Sequence, residues 1–395
     1  PIPMLNAVNL IVFSILIGWV GRDIVGHRRL LRPSPWNVPL ALFLVWALFS
    51  WLYASLLGGS LGYAYALFQA FWNSMCGLLL FYMVYNNIGD MKHVRRLALT
   101  FCVGCAVGLV PLLMDSASYG GNRRVAGSIG QINMAGTFFA TATLFALSLL
   151  TGGFRSLRAR LLLLGSVAAC TAGVVIPASR GAFVGFFAGM VPAVLRGGLV
   201  GLLLVGIVVG GAVLWAPDYV MDRVNDTQQA AVASDADRYE QLNEDSGGRL
   251  EFWKTSLGII AGSPLFGVGF GRMHLAIGER IGQARSPHNF YLSTAGEMGI
   301  PGLLLLLYIF WVGYRRAGDL LRHRGFPRAL ALGYRAAVIS LLVSNIFGGR
   351  FYGFNTAGML MFLTALVFRA GALLEEPRLE PAITKEDPAC ISSRS

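Results

Sequence analysis

The sequence predicts an all-α polytopic membrane protein with one large, mostly helical loop outside the membrane. Hydropathy, block organisation and the placement of basic residues carry that expectation. Mean hydropathy is +0.61, and of 395 residues 55% are hydrophobic and only 13% charged. The apolar residues come in long blocks rather than short periodic stripes. Helices that are hydrophobic all round belong in lipid, and about 20 residues span the roughly 30 Å hydrocarbon core. Most Lys and Arg lie in short loops between these blocks, which is the positive-inside pattern. The net charge of +12 therefore reports topology, and nucleic acid is not expected as a partner.

The length rule marks about eleven spans, near 4–20, 38–57, 63–85, 97–114, 130–150, 161–178, 180–195, 198–215, 301–317, 329–347 and 353–370. Basic clusters follow the first span (Arg22, Arg28, Arg29, Arg32), the third (Lys92, Arg95, Arg96), the fifth (Arg155, Arg158, Arg160) and the ninth (Arg315, Arg316, Arg322, Arg324, Arg328). Each follows an odd-numbered span, so those loops face the cytoplasm and the alternate loops face outward. This topology leaves Pro1 outside and the chain has no initiator Met. An additional N-terminal span is therefore expected, giving about twelve in the intact protein with both ends inside.

Four regions follow: spans one to eight over 1–215, the outward loop 216–300, spans nine to eleven over 301–371, and a polar tail 372–395 expected to be disordered inside the cell. Within the outward loop, "PDYVMDRVNDTQQAAVASDADRYEQLNEDSGG" reads as charged and partly helical. In "RLEFWKTSLGIIAG", Leu250, Trp253, Leu257 and Ile260 recur at helical spacing and are expected to face the bundle or the interface. "SPLFGVGFG" reads as a turn-rich connection and "RMHLAIGERIG" as a short helix.

Three outward positions share an arrangement. Ser179 is a candidate N-cap that puts Arg180 in the first turn of the seventh span. Ser246 or Gly247 would cap a helix beginning near Arg249. Ser286 is a candidate cap, and Pro287 suits a first helical position, so His288 follows at once. A cation in a helix's first turn opposes the macrodipole, which favours anions there. Two arginines and a histidine at helix starts on one membrane face fit a bound anion, with backbone N–H groups and guanidinium forks converging on phosphate oxygens. Plainer readings stand beside this one. Arg180 would snorkel to headgroups, Arg249 would pair with Glu251 or Asp245, and His288 would bond the loop backbone.

Arg123, Arg124 and Arg350 lie in outward loops against the positive-inside trend; each would add charge to an anionic substrate site or touch lipid phosphate. Gln131 and Asn133 at an outer boundary are expected to hydrogen-bond between helices.

Other motifs carry no chemistry. Asp235 and Asp237 sit in a broadly acidic stretch, and no His or Cys cluster has zinc spacing. "GVGFG" lacks the strand, helix and Lys-Ser/Thr of a phosphate loop. "CVGC" at 102–105 lies mid-helix, where small thiols pack. Gly181, Gly185 and Gly189 recur every four residues, as close helix packing requires. No outward serine has a His and acid pair. No metal, no cofactor and no covalent intermediate are expected.

The order "SRGAFVG", a long outward loop, "RLEFWKTSLGIIAGSPLFGVGFG", then "HNFYLSTAGEMGIPGLLLLL" resembles the bacterial O-antigen ligase and polymerase superfamily of inner-membrane glycosyltransferases. The motifs cover roughly 179–307. The resemblance implies a multi-pass protein of the bacterial inner membrane with its active site facing the periplasm. It also implies a glycan donor linked through pyrophosphate to undecaprenyl and, in the ligase branch, a lipid A core sugar as acceptor. It carries essential roles onto Arg180, Arg249 and His288, with Arg123, Arg124, Asn289 and Arg350 as further substrate-binding candidates. The arginines would stabilise charge on the departing pyrophosphate, and His288 would act as base on the acceptor hydroxyl or hydrogen-bond a phosphate. Among family members the ligase is the expected branch, with O-antigen polymerase or protein O-oligosaccharyltransferase as alternatives. A transporter of lipid-linked sugars is the alternative from another class; it would place charge near the bilayer midplane, where this sequence has almost none.

Overall fold

The structure, a computed structural model, describes residues 7–26, 31–58, 65, 68, 77–121, 123–192 and 248–375. Among these the only regular structure is helical. In chain order the helices are α1 (Ala7–Val25), α2 (Asn37–Gly58), α3 (77–87), α4 (Met91–Val107), α5 (Leu109–Ser118), α6 (Ile132–Gly152) and α7 (Leu157–Val175). They continue as α8 (180–192), α9 (Arg249–Gly262), α10 (Met273–Ile281), α11 (Phe290–Leu320), α12 (Phe326–Ser344) and α13 (Phe354–Glu375).

Seven helical stretches among the described residues are long and apolar enough to cross a membrane: Asn37–Leu57, Met91–Ser118, Ile132–Gly152, Leu157–Val175, Phe290–Leu320, Phe326–Phe347 and Phe354–Glu375. They match seven of the expected spans, with one shift. The ninth span, expected at 301–317, is part of a helix that begins at Phe290 and is broken at Gly299, whose φ is 72°. Hydropathy marks only the part beyond the break. α1 covers most of the first expected span, and α3 and α8 cover the described parts of 63–85 and 180–195. The span at 198–215, loop residues 216–247 with Asp235 and Asp237, and tail residues 376–395 lie outside the described residues. The tail expected from 372 begins later, because α13 stays helical to Glu375.

Packing places the predicted basic loops together. Arg32 Nη1 and Arg369 Nε both donate to the Ile88 carbonyl, at 3.2 and 2.8 Å. Ser148 donates to Ala329 O at 2.8 Å, Phe154 packs edge-on to Phe326, and Arg95 lies over the Phe326 ring. The turns near 31–36, 86–91, 152–156 and 321–328 thus share one end of the bundle. Trp36, fully buried, anchors that end by donating Nε1 to Ile309 O at 3.0 Å and packing against Phe81 and Phe368.

The most enclosed span is α6, packed between α7 and α12. α8 also lies on α12, and its glycines are the reason. A Cβ built at Gly185 would fall 2.0 Å from Ser344 Oγ, and one at Gly189 would fall 2.7 Å from Ala336 O. The four-residue glycine spacing is thus a close-packing face, as the sequence suggests. Cys102, Cys105 and Cys170 are buried free thiols in α4 and α7, in keeping with their reading as packing residues.

Gly185→Val should therefore force α8 off α12 and destabilise the bundle by about 1–3 kcal/mol, the usual cost of overpacking. Gly165→Ala in α7, where a Cβ meets nothing within 4 Å, should be neutral or stabilising. Thermal unfolding of the two purified variants in detergent compares them directly.

Candidate active site

At the end of the bundle opposite those basic loops, three helix starts and one loop converge. The first start is α8. Ser179 is buried and its Oγ accepts the Ala182 N–H at 3.4 Å, so it caps the helix and Arg180 occupies the first turn. The connection before it is strained, because Ala178 has φ 46°. Arg124 holds this turn from outside. Its Nε donates to Pro177 O at 2.8 Å, and its Nη2 donates to Asn133 Oδ1 at 3.3 Å.

The second start is α9. Its cap is Gly248 in the left-handed region, one residue beyond the expected Ser246 or Gly247, which lie outside the described residues. Arg249 is the first helical residue. The buried face of α9 is Phe252, Ser256 and Ile259. The residues of the expected stripe are not that face: Leu257 is exposed, and Leu250, Trp253 and Ile260 are half-buried. Trp253 has a specific partner: its Nε1 donates to Pro287 O at 2.8 Å, tying α9 to the residue before His288.

The third start is α11, and here the cap differs from expectation. Asn289, not Ser286, is the N-cap; its Oδ1 accepts from the Tyr291 and Leu292 N–H groups at 3.0 and 3.1 Å. Ser286 instead accepts the His288 N–H at 3.3 Å. His288 precedes the helix with φ 51°. It and Ala178 are the two non-glycine residues with positive φ among those described. Such backbone is uncommon and held only by its surroundings, a condition that clusters at functional sites.

The loop between α12 and α13 supplies Arg350. This arginine is 2% exposed. Its backbone N–H donates to Asn345 Oδ1 at 2.9 Å, and its Nη2 reaches Phe347 O at 3.3 Å. Its Nε is buried with no hydrogen-bond partner, and no carboxylate pairs with it among the described residues. A Cβ at Gly348 would fall 2.6 Å from the guanidinium, and one at Gly181 would fall 3.4 Å from Nη2. Arg350 therefore reaches from its loop to the start of α8, one residue from Arg180.

Electrostatics join these elements. Desolvation lowers the His288 pKa below its ordinary 6.5, and the positive charges of Arg249, Arg350 and Arg285 lower it further. Burial, then the charge of Arg249, brings Arg350 down to about 10. Both shifts register the same fact: Arg249, His288 and Arg350 share one field of like charge. Of the other expected residues, Arg124 bonds Pro177 O and the Asn133 side chain, Asn289 caps α11, and the guanidinium of Arg123 lies over the Tyr119 ring at 5.1 Å.

Three residues escape a reading by motif. Arg285 adds charge beside His288, and Trp253 couples α9 to the His288 turn. Glu297, buried in α11, lies against the backbone N–H groups of Gly271 and Met273 at the start of α10. One acid inside an apolar block was the available sign for Glu297.

The fold and this arrangement define a class: a helical, membrane-spanning protein with a cationic cluster at one end. A family model described as O-antigen ligase matches residues 164–307, and the match supports membership of the chain in the O-antigen ligase/polymerase family, whose members are glycosyltransferase-type membrane enzymes. The matched segment runs from α7 into α11, so it contains Arg180, Arg249 and His288, whereas Arg350 lies beyond it. A comparison with curated proteins finds no match.

Two substitutions probe this architecture. Ala178→Gly removes the Cβ from a left-handed residue and should leave thermal stability unchanged or raise it by up to about 1 kcal/mol. Glu297→Gln keeps the volume but puts an NH2 donor where one carboxylate oxygen faces the backbone N–H groups of Gly271 and Met273. It should destabilise by about 1–3 kcal/mol in the same unfolding assay.

Proposed function

We propose that the protein is an O-antigen ligase, transferring a glycan from undecaprenyl pyrophosphate to a sugar hydroxyl of the lipid A core on the periplasmic side of the bacterial inner membrane. The supporting observation is Arg350: a buried cation with no carboxylate paired to it among the described residues, in the electrostatic neighbourhood of Arg249 and His288. Buried charges are ordinarily paired, so Arg350, with further cations around it, fits an external anion with several acceptor oxygens. Pyrophosphate on a lipid carrier has that chemistry and arrives at the membrane boundary where the cluster lies.

The reaction then proceeds as one displacement. The acceptor hydroxyl oxygen attacks the anomeric carbon as the bond from that carbon to the pyrophosphate oxygen breaks. The electron pair leaves with undecaprenyl pyrophosphate, and attack opposite the leaving group inverts the anomeric centre. Arg180, Arg249 and Arg350 stabilise the negative charge that develops on the leaving oxygens, a contribution of about 10²–10³ in rate for a single well-placed donor. His288 takes the hydroxyl proton, a step that supplies about 10²–10⁴. Its depressed pKa serves this role, because the imidazole is neutral and basic at pH 7.

A reconstituted assay with purified lipid-linked glycan as donor and purified lipid A core as acceptor, run in chelator, tests the proposal. Wild type should form glycan-bearing lipopolysaccharide, and Arg180→Ala, Arg249→Ala, Arg350→Ala and His288→Ala should each lose about 10²-fold or more while remaining folded. Longer chains on the donor, with none on the core, would reassign the protein as a polymerase; transport without transfer would reassign it as a carrier of lipid-linked sugar.

The pH dependence has a definite sign. Protonation removes the base, so the rate should be flat above 6.5 and fall through a pH below it. Arg285→Gln removes one of the charges that disfavour the imidazolium, so the acid limb should move upward toward 6.5.

A further inference from the structure

The other end of α11 carries a second cationic feature that this chemistry does not use. Ile300, Leu304, Leu307, Tyr308 and Trp311 are all exposed, and their spacing puts them along one face of the helix. The Tyr308 and Trp311 rings stack with centroids 5.7 Å apart and planes 25° apart. The Arg315 guanidinium lies over Trp311, 5.2 Å from the ring centre. This apolar stripe therefore ends in an aromatic pair topped by a cation.

Beside that pair is a cleft of about 540 Å³, walled by Pro35, Tyr308, Trp311, Arg315, Arg316 and Asp319. Through Pro35, Arg316 and Asp319 it continues into a second cleft of about 320 Å³ that reaches His323 and the end of α13. Two guanidinium groups meet one carboxylate in the first cleft. Arg316 Nη1 stands 3.8 Å from Asp319 Oδ2, a loose and half-exposed pair, which is worth little in energy. Among the described residues the wall of the first cleft thus carries one more cation than carboxylate, with Glu375 as a further acid in the second cleft, at the depth where stacked aromatics mark a membrane–water boundary.

We propose that this cleft is a binding site for an anionic phospholipid of the leaflet at the basic end of the bundle. The phosphodiester sits between Arg315 and Arg316, whose planar forks suit phosphate oxygens. The headgroup fills the cleft toward Pro35 and Asp319. One acyl chain runs along Trp311, Tyr308, Leu304 and Ile300. Phosphatidylglycerol fits this chemistry, because its headgroup is neutral beyond the phosphate. Phosphatidylcholine would bring a second cation toward Arg315. Basic pockets beside membrane helices select anionic headgroups on the same grounds.

Trp311 is its own reporter. Protein reconstituted in bilayers would be titrated with phosphatidylglycerol or phosphatidylcholine brominated on the acyl chains. The Trp311 signal is taken as the difference between wild type and Trp311→Phe. Brominated phosphatidylglycerol should quench that signal at a mole fraction about ten-fold lower than brominated phosphatidylcholine. In Arg315→Gln/Arg316→Gln the preference should fall below about two-fold. It should persist in Arg155→Gln/Arg158→Gln, which removes exposed charge elsewhere at the same end. Equal quenching by the two lipids in wild type overturns the proposal without any arginine variant having to fold. So does a preference that survives the Arg315/Arg316 substitution, or one abolished equally by the Arg155/Arg158 substitution, because each would mean bulk attraction alone.

Discussion

The break in α11 at Gly299 is the constraint on which the site end of the molecule depends. A helix in lipid satisfies its own backbone, and a break releases groups that must find partners within the protein. Here they do. Gly296 O accepts from Val268 N at 2.7 Å, Glu297 O from Gly269 N and Ser50 Oγ at 3.0 and 2.9 Å, and Met298 O from Trp46 Nε1 at 2.8 Å, while Ile300 N donates to Pro264 O at 2.8 Å. The segment 264–270 is thereby stitched to α11 and α2. Gly267 makes the approach possible: it has φ 69°, and a Cβ there would fall 2.4 Å from Gly296 O. The glycine-rich "GVGFG" thus serves contact between two backbones, in agreement with its failure as a phosphate loop.

That seam bears on the cationic cluster. Arg249 begins α9 and His288 ends the stretch that follows α10, so the α9–α10 pair must be held at both ends for the two to stay together. Trp253 fixes one end to Pro287, and the backbone seam fixes the other. On the opposite side, the glycine face of α8 against α12 brings Arg180 toward the Arg350 loop. Like charges repel, and each of these cations also faces the positive end of a helix dipole or a neighbouring guanidinium. The cluster persists because apolar packing and backbone bonds, rather than attraction among its members, set its positions.

Much of this was legible in sequence, and the misses share a cause. Span positions, the glycine face, the Ser179 cap and the place of Arg180 and Arg249 in the first turns of their helices follow from local composition and spacing, whereas their nearness to the His288 turn and the Arg350 loop belongs to the fold. The course of α11 was not legible: hydropathy averages over a window and cannot register a backbone break at Gly299, so the helix expected from Pro287 and the span expected at 301–317 did not read as one broken element. Ser286 and Asn289 are both good caps, and the choice between them turns on the strained φ of His288, which tertiary contacts impose. Leu257 matched a helical stripe, yet the bundle contacts α9 through Phe252 and Ile259. Arg350 stood out only as a cation on the unexpected side; its burial, its unpartnered Nε and its closeness to Arg249 belong to the assembled fold.

α11 therefore joins two cationic surfaces of different character. At its start one charge, Arg350, is buried and Arg249 is half-buried, while Arg180 and His288 open outward from capped helices and strained turns, so whatever binds there meets a preset backbone geometry. At its far end Arg315 and Arg316 are long side chains near solvent, supported by one aromatic ring and one loose carboxylate, so their contacts adapt to the ligand. The first arrangement suits discrimination between a ground state and a more highly charged transition state, because preorganised donors do not have to reorganise as charge develops. The second suits retention of a lipid whose charge never changes. The difference follows from burial: the same guanidinium group is enclosed at Arg350 and open at Arg315, which suits the first to a preorganised electrostatic role and the second to an adaptable contact with a headgroup.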